Sequence, residues 1–122
     1  MTKISVKDLK MSYLNQPNVV YKKHSGDVRM PEKQSLQFLN DLEKYEKQVT
    51  DVTEWAFYPE IGTCCENMYS FDLSPEEMTF RESIQKARDF IAKCMKNPFR
   101  DIELDKAYKD FITLFSIYTL DD

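Results

Sequence analysis

The chain has 122 residues, 42% of them hydrophobic and 31% charged, with a formal net charge of −4. That length fits one domain, 1–122, with a real core, and the balance is that of a soluble globular protein rather than a disordered one. Two glycines are too few for the loops that cradle phosphates, and neither G-x-x-x-x-G-K-[ST] nor G-x-G-x-x-G can be written, which excludes the common nucleotide-binding types.

The charge is unevenly spread. Residues 1–30 carry +4, residues 31–80 carry −8, residues 81–100 carry +4 and residues 101–122 carry −4. An acidic middle either pairs with the basic segments or attracts a basic partner. No apolar run reaches the ~18 residues of a membrane span. The start, MTKISVKDLKMSYL, lacks the apolar core and cleavage site of a secretory signal. Three cysteines with no such signal are expected to be reduced thiols in cytoplasm, of a bacterium or of a host cell if the source is viral.

In chain order, Ser5 and Asp8 have capping-box spacing and open a short helix with Val6, Leu9 and Tyr13 on one side, stopped by Pro17. Residues 18–23 and 28–30 read as short strands around a Ser25-Gly26-Asp27 turn. From Pro31 to about Glu54, Phe38, Leu42, Tyr45, Val49 and Val52 repeat at four-three spacing, the seam of an amphipathic helix that ends as early as Val49. Ser74-Pro75-Glu76-Glu77 is the sharpest helix start in the chain. From it a helix is predicted to about Asn97, before Pro98, with Phe80, Ile84, Ala87, Ile91 and Cys94 on its seam. A last helix is predicted to about Leu120 through Leu104, Tyr108, Phe111, Phe115 and Tyr118, although its end, FSIYTL, has strand composition.

These elements predict a mainly α fold. The expected architecture is a small bundle of three to four helices, with room for a short β-hairpin in the central stretch; α+β is the alternative. That central stretch, Trp55–Leu73, breaks the helical period. It concentrates the only Trp, two of three Cys and the aromatics Phe57, Tyr58, Tyr69 and Phe71. Alternation at Trp55 and Phe57, and at Tyr69, Phe71 and Leu73, suits two strands turning at 59–65.

The motifs exclude more than they name. The single His24 sits in a polar turn, and G-x-S-x-G and H-E-x-x-H are absent. His24 with Cys64, Cys65 and Cys94 makes a Cys3His zinc set on paper, but adjacent cysteines point apart where structural zinc sites use C-x2–4-C. A thiol-dependent enzyme using Cys64, Cys65 and His24 meets the same difficulty, since the thiolate needs a nearby base or helix N-terminus. Arg81, Lys86, Arg88, Lys93, Lys96 and Arg100 offer the best nucleic-acid helix, yet they spread over more than one face of an acidic protein.

What remains is recognition. Trp, Tyr and Met suit interface cores, and here they are rimmed by carboxylates. The sequence therefore favours a non-enzymatic protein-binding module, an inhibitor, immunity factor or adaptor of the kind found among phage and host-interaction factors. Its expected surface is Trp55, Tyr58, Glu60, Glu66, Met68 and Tyr69, set against a basic partner protein, with no cofactor, metal, membrane or nucleic acid. The other outcome for the same aromatics is a lid on the core.

Overall fold

The computed structural model describes residues 4–70 and 77–120, and for residues 68–70 the main chain only. Helix α1 (Val6–Met11) starts because the Ser5 hydroxyl accepts from the Asp8 amide at 3.4 Å, and it buries Val6 and Leu9. Just beyond it, Tyr13 meets Phe38 edge-on at 6.0 Å and donates its hydroxyl to Asp41 at 2.6 Å. Strands β1 (Val20–Lys22) and β2 (Asp27–Arg29) form an antiparallel hairpin, with Gly26 at φ +70° where a Cβ would be strained.

Helix α2 (Glu32–Lys44) follows Pro31 and ends in a Schellman motif. Glu46 takes the left-handed position at φ 55°, with its amide on Glu43 O (3.2 Å) and the Lys47 amide on Leu42 O (2.8 Å). The chain is then free to enter β3 (Val49–Tyr58), turn at 59–62, and return as β4 (Thr63–Ser70). Helix α3 (Phe80–Lys96) is capped by Thr79, whose hydroxyl accepts from the Glu82 amide at 3.1 Å. Helix α4 (Ile102–Ala107) is capped by Asp101, and β5 (Ile112–Thr119) closes the order.

Strand β3 is central, antiparallel to β4 and to β5 in the order β4-β3-β5. The hairpin joins the β5 side through one bridge, in which Met30 and Phe115 exchange both main-chain bonds at 2.9 and 2.7 Å. The fold is therefore α+β, with four helices and two antiparallel sheets among the described residues, and not the expected helical bundle.

Three elements overturn that expectation. Val49–Glu54 is strand rather than the end of the α2 helix. Residues 112–119 are strand β5, leaving a six-residue α4 in place of a long last helix. The hairpin of the central stretch exists, but it begins at Val49 and turns at 59–62, so Cys64 and Cys65 lie in β4 rather than in the turn. The expected cap at Ser74-Pro75-Glu76 falls outside the described residues, as do Phe71, Asp72 and Leu73; the α-helix that follows begins at Phe80.

Helices α2 and α3 cover one face of the sheet. There Phe38, Leu39, Leu42, Ile84, Ala87 and Ile91 pack with Val52, Phe115 and Ile117, joined at the side by Val28 and Met30 of the hairpin. Burying each of these large side chains stabilises the fold by roughly 1.5–3 kcal/mol. One carboxylate shares this face. Glu54 is 1% exposed and accepts from Asn67 Nδ2 at 3.1 Å and from the Phe99 amide at 2.8 Å. The Cys94 thiol also hydrogen-bonds to it; burial, and then this contact, push that thiol's pKa up to about 12. No helix among the described residues is long and apolar enough to cross a membrane.

Candidate functional site

Alternation along β3 sends Val52, Glu54, Ala56 and Tyr58 towards the helices, and Asp51, Thr53 and Trp55 to the opposite face. On that second face the sheet is only partly covered. Helix α1 and the β1–β2 hairpin stand along it and enclose a cleft of about 790 Å³. Trp55, Thr53, Tyr118, Asp51 and Glu66 line its sheet side, and Lys7, Lys10 and Arg29 its other side.

The floor is a connected polar network. Trp55 Nε1 donates to Ser116 Oγ at 2.9 Å, and Ser116 Oγ donates in turn to Asp27 Oδ2 at 3.0 Å. The same carboxylate accepts from Arg29 Nε at 2.9 Å and from the Tyr118 hydroxyl at 3.1 Å. The Arg29 guanidinium lies on the Trp55 ring, 3.4 Å from its centroid. Guanidinium and carboxylate are nearly buried, at 12% and 9% side-chain exposure, so this pair is shielded from solvent screening. Burial, and then the Asp27 charge, raise the Tyr118 pKa above that of an ordinary tyrosine, which keeps its hydroxyl a donor.

The groups of this network are engaged with one another. Ser116 is fully buried, with its hydroxyl already donated to Asp27. Asp27 is occupied by three donors. The remaining charges of the cleft are Lys7 and Lys10 from α1, the Lys10 ammonium lying 5.2 Å from the centroid of the Tyr118 ring, and Asp51 and Glu66 from the sheet.

The structure sorts the six expected surface residues. Trp55 and Glu66 are directly opposed cross-strand neighbours and share the cleft. Glu60 is exposed at the tip of the hairpin turn. Tyr58 is a correction: it is 0% exposed, its hydroxyl donating to Asp105 at 2.8 Å and accepting from the Asp101 amide at 3.1 Å, so it anchors α4 instead of meeting a partner. Met68 and Tyr69 pair in register with Thr53 and Val52, and their side chains lie outside the described residues. Glu54, which the sequence sets beside this rim, is in the core. Asp27, Arg29, Ser116 and Tyr118 were not legible as a site, because contacts spanning 89 and 91 residues leave no local spacing to read.

The thiols are dispersed. Cys64 and Cys65 occupy successive positions of β4, opposite Phe57 and Ala56 and so on opposite faces. Cys94 is buried on α3, and His24 is exposed in the β1–β2 turn. Cys65 donates to Asp101 at 3.6 Å, and burial followed by that carboxylate raises its pKa. Among the described residues no three His, Cys, Asp or Glu side chains form a cluster that would hold a metal. On the α3 side, Arg88 reaches Asn40 at 2.7 Å and Glu43 at 3.4 Å on α2, Arg100 pairs with Asp105 at 2.8 Å, and the Arg81 guanidinium lies 5.3 Å from the Phe80 ring centroid, so three of the six cations make internal contacts. Comparison with protein-family models, with curated proteins and with solved structures found no match to this chain.

Proposed function

We propose that this chain is a non-enzymatic binding module that acts by occupying the surface of a partner protein, as an inhibitor, immunity factor or adaptor. The observation that carries the reading is the juxtaposition of Trp55 and Glu66 on the sheet face away from α2 and α3, in a cleft whose sheet side also holds Asp51. Glu66 and Asp51, with exposed Glu60 at the tip of the hairpin turn, are the charges that steer a basic protein surface to the β4 side of the cleft, beside the Trp55 ring that carries Arg29. The three unpaired thiols fit work in a reducing cytoplasm, bacterial or that of an infected host cell.

The test is affinity purification of the tagged protein from its native host, with partners identified by mass spectrometry. The wild type is run beside Glu60→Lys/Glu66→Lys. Both positions are exposed, so the exchange is expected to change stability by no more than about 0.5 kcal/mol. The expected result is one partner held by the wild type and lost at least about tenfold in the variant, equivalent to ~1.4 kcal/mol of binding. Equal recovery of the same partner by both proteins would sink this surface as the binding site.

A further inference from the structure

The direction of the main chain along β4 follows from the bridge at the other side of the sheet. Phe115 spends its own amide and carbonyl on Met30, so both point away from β3. Opposed residues in an antiparallel ladder alternate between pairs that exchange both bonds and pairs that exchange none. Phe115 and Glu54 are therefore a non-bonded pair, and Glu54 directs its main-chain groups to Asn67 on β4. Stepping by two along β4, Thr63, Cys65 and Asn67 bond inward, while Cys64, Glu66 and Met68 turn their amides and carbonyls outward. Among the described residues no strand takes up that edge.

We propose that the outer edge of β4 receives an extended, basic segment of the partner protein as an added strand, a proposal that rests on the protein-binding reading above. Edge strands of this kind bind through main-chain hydrogen bonds, with alternate side chains setting specificity. The occupant's charge follows from the one charged residue of β4. Glu66 is exposed and has its main-chain groups at the edge, so a Lys or Arg opposite it gains an opposite-charge cross-strand pair. Exposed Glu60, at the tip of the same hairpin, extends the acidic character towards one end. A second copy of this chain is a poorer occupant. An antiparallel pairing of two β4 edges centred on residues 65–67 sets the two Glu66 side chains opposite or diagonal to each other, where like charges repel.

The experiment follows amide hydrogen exchange on the ¹⁵N-labelled full chain. The probe is a capped seven-residue peptide in which lysine alternates with valine and threonine, compared with its glutamate counterpart. In the free protein the Cys64 and Glu66 amides are expected to exchange at least tenfold faster than those of Cys65 and Asn67. Saturating lysine peptide slows Cys64 and Glu66 at least tenfold, and the glutamate peptide does not. Protection of those two amides in the free protein, no slowing with the lysine peptide, or protection that grows with protein concentration would each overturn the proposal; the last would mean self-pairing.

Cys64→Pro separates this proposal from the reading beneath it. Proline removes an outward amide and leaves the β3 ladder and both carboxylates in place. Loss of the native partner with Cys64→Pro, at unchanged thermal midpoint, supports strand addition. Capture by Cys64→Pro at the wild-type level, together with loss in Glu60→Lys/Glu66→Lys, keeps the binding surface and rejects the added strand.

Discussion

Glu54 offers the sharpest test of how this fold is held together. It is a carboxylate at 1% exposure with its described partners all neutral: the Asn67 amide, the Phe99 main-chain N–H and the Cys94 thiol. These donors come from β4, from the chain after α3 and from α3 itself, so one side chain ties three segments. Glu54→Ala strands them. A hydrogen bond to a carboxylate contributes about 1.5–3 kcal/mol, which puts the two firm bonds, at 2.8 and 3.1 Å, near 3–6 kcal/mol together. Two effects reduce that figure. The desolvation cost of burying the carboxylate disappears with it. Water can also enter, because the site opens to a groove of about 580 Å³ lined by Lys86, Phe90 and Lys93. A net loss of about 2–4 kcal/mol is expected, a large share of the ~5–15 kcal/mol that holds a domain of this size. Glu54→Gln should cost about 1 kcal/mol or less: its carbonyl can serve the Phe99 amide, and its NH2 meets Asn67, whose own amide turns to present oxygen. Urea titration followed by far-ultraviolet circular dichroism reads both. With a slope near ~1.5 kcal/mol per molar, Glu54→Ala lowers the midpoint by about 2 M and Glu54→Gln by less than about 0.7 M, without a change of slope. An alanine variant within about 0.3 M of wild type, or a glutamine variant as damaged as the alanine one, would refute the clip.

Further outcomes follow from other groups. Cys94 is raised to about 12 from 9.0, and burial raises Tyr13, Tyr58 and Tyr118 above 10.0; each binds its proton more tightly folded than unfolded. Stability is therefore full below about pH 9 and falls as pH climbs from there towards 12, and a denaturation midpoint that stays flat from pH 8 to 11 would contradict the burial of these groups. With Ellman's reagent at pH 8, half-buried Cys64 is expected to react first, Cys65 more slowly because burial and Asp101 raise its pKa, and Cys94 only on unfolding. A fast phase surviving in Cys64→Ser would reverse that order. Asp27→Ala removes the acceptor shared by Arg29, Ser116 and Tyr118 and should cost about 2–4 kcal/mol. Since Trp55 is the only Trp and carries Arg29 on its ring, its fluorescence is expected to shift to the red in that variant; an unchanged spectrum would mean that the floor does not depend on Asp27.

The burial pattern was legible in the sequence more than the secondary structure was. Phe38, Leu42, Tyr45, Val49 and Val52 were read as one helical seam; Tyr45 is partly buried against the core and the other four are in it at 1% exposure or less. Phe38 and Leu42 are on α2, Tyr45 is its C-cap, and Val49 and Val52 are on β3. The four-three rhythm continued across the junction because a register shift between Val49 and Asp51 puts two residues three apart on one face of a strand. The helix end was hidden as well. Its left-handed position is filled by Glu46, where a glycine would have announced the stop. Strand β5 misled for another reason. It is covered on both faces, with Leu114, Phe115, Ser116 and Ile117 all buried, so it shows no alternation, and its apolar positions can be threaded onto a helical period. Where local chemistry alone decides, at the Ser5 cap and at the Ser25-Gly26 turn, the sequence sufficed, although Asp27, expected in that turn, already pairs with Lys22 as the first residue of β2. At the cleft, Trp55 and Glu66 were visible as residue types, whereas Asp27 and Ser116 acquire meaning only from pairing across 89 residues.

The two faces of β3 divide the labour in a way that bears on recognition. On the helix side every position from Val52 to Tyr58 is committed to packing or to an internal hydrogen bond, Glu54 and Tyr58 included. On the other side the commitment stops at the floor. Asp27 draws donors from β2 and from two positions of β5, and Ser116 passes that constraint on to Trp55, so the ring is fixed from its edge as well as by the Arg29 guanidinium stacked on it. The carboxylates around it are not held in this way: Glu66 and Glu60 are exposed, on an edge strand and on a turn tip. The fixed Trp55–Arg29 stack and the adjustable charges are therefore separated in space, the first at the centre of the sheet and the second towards β4. Under the proposed reading, a basic segment that meets Glu66 and Glu60 therefore comes from the β4 side, which is also where the main-chain ladder ends among the described residues.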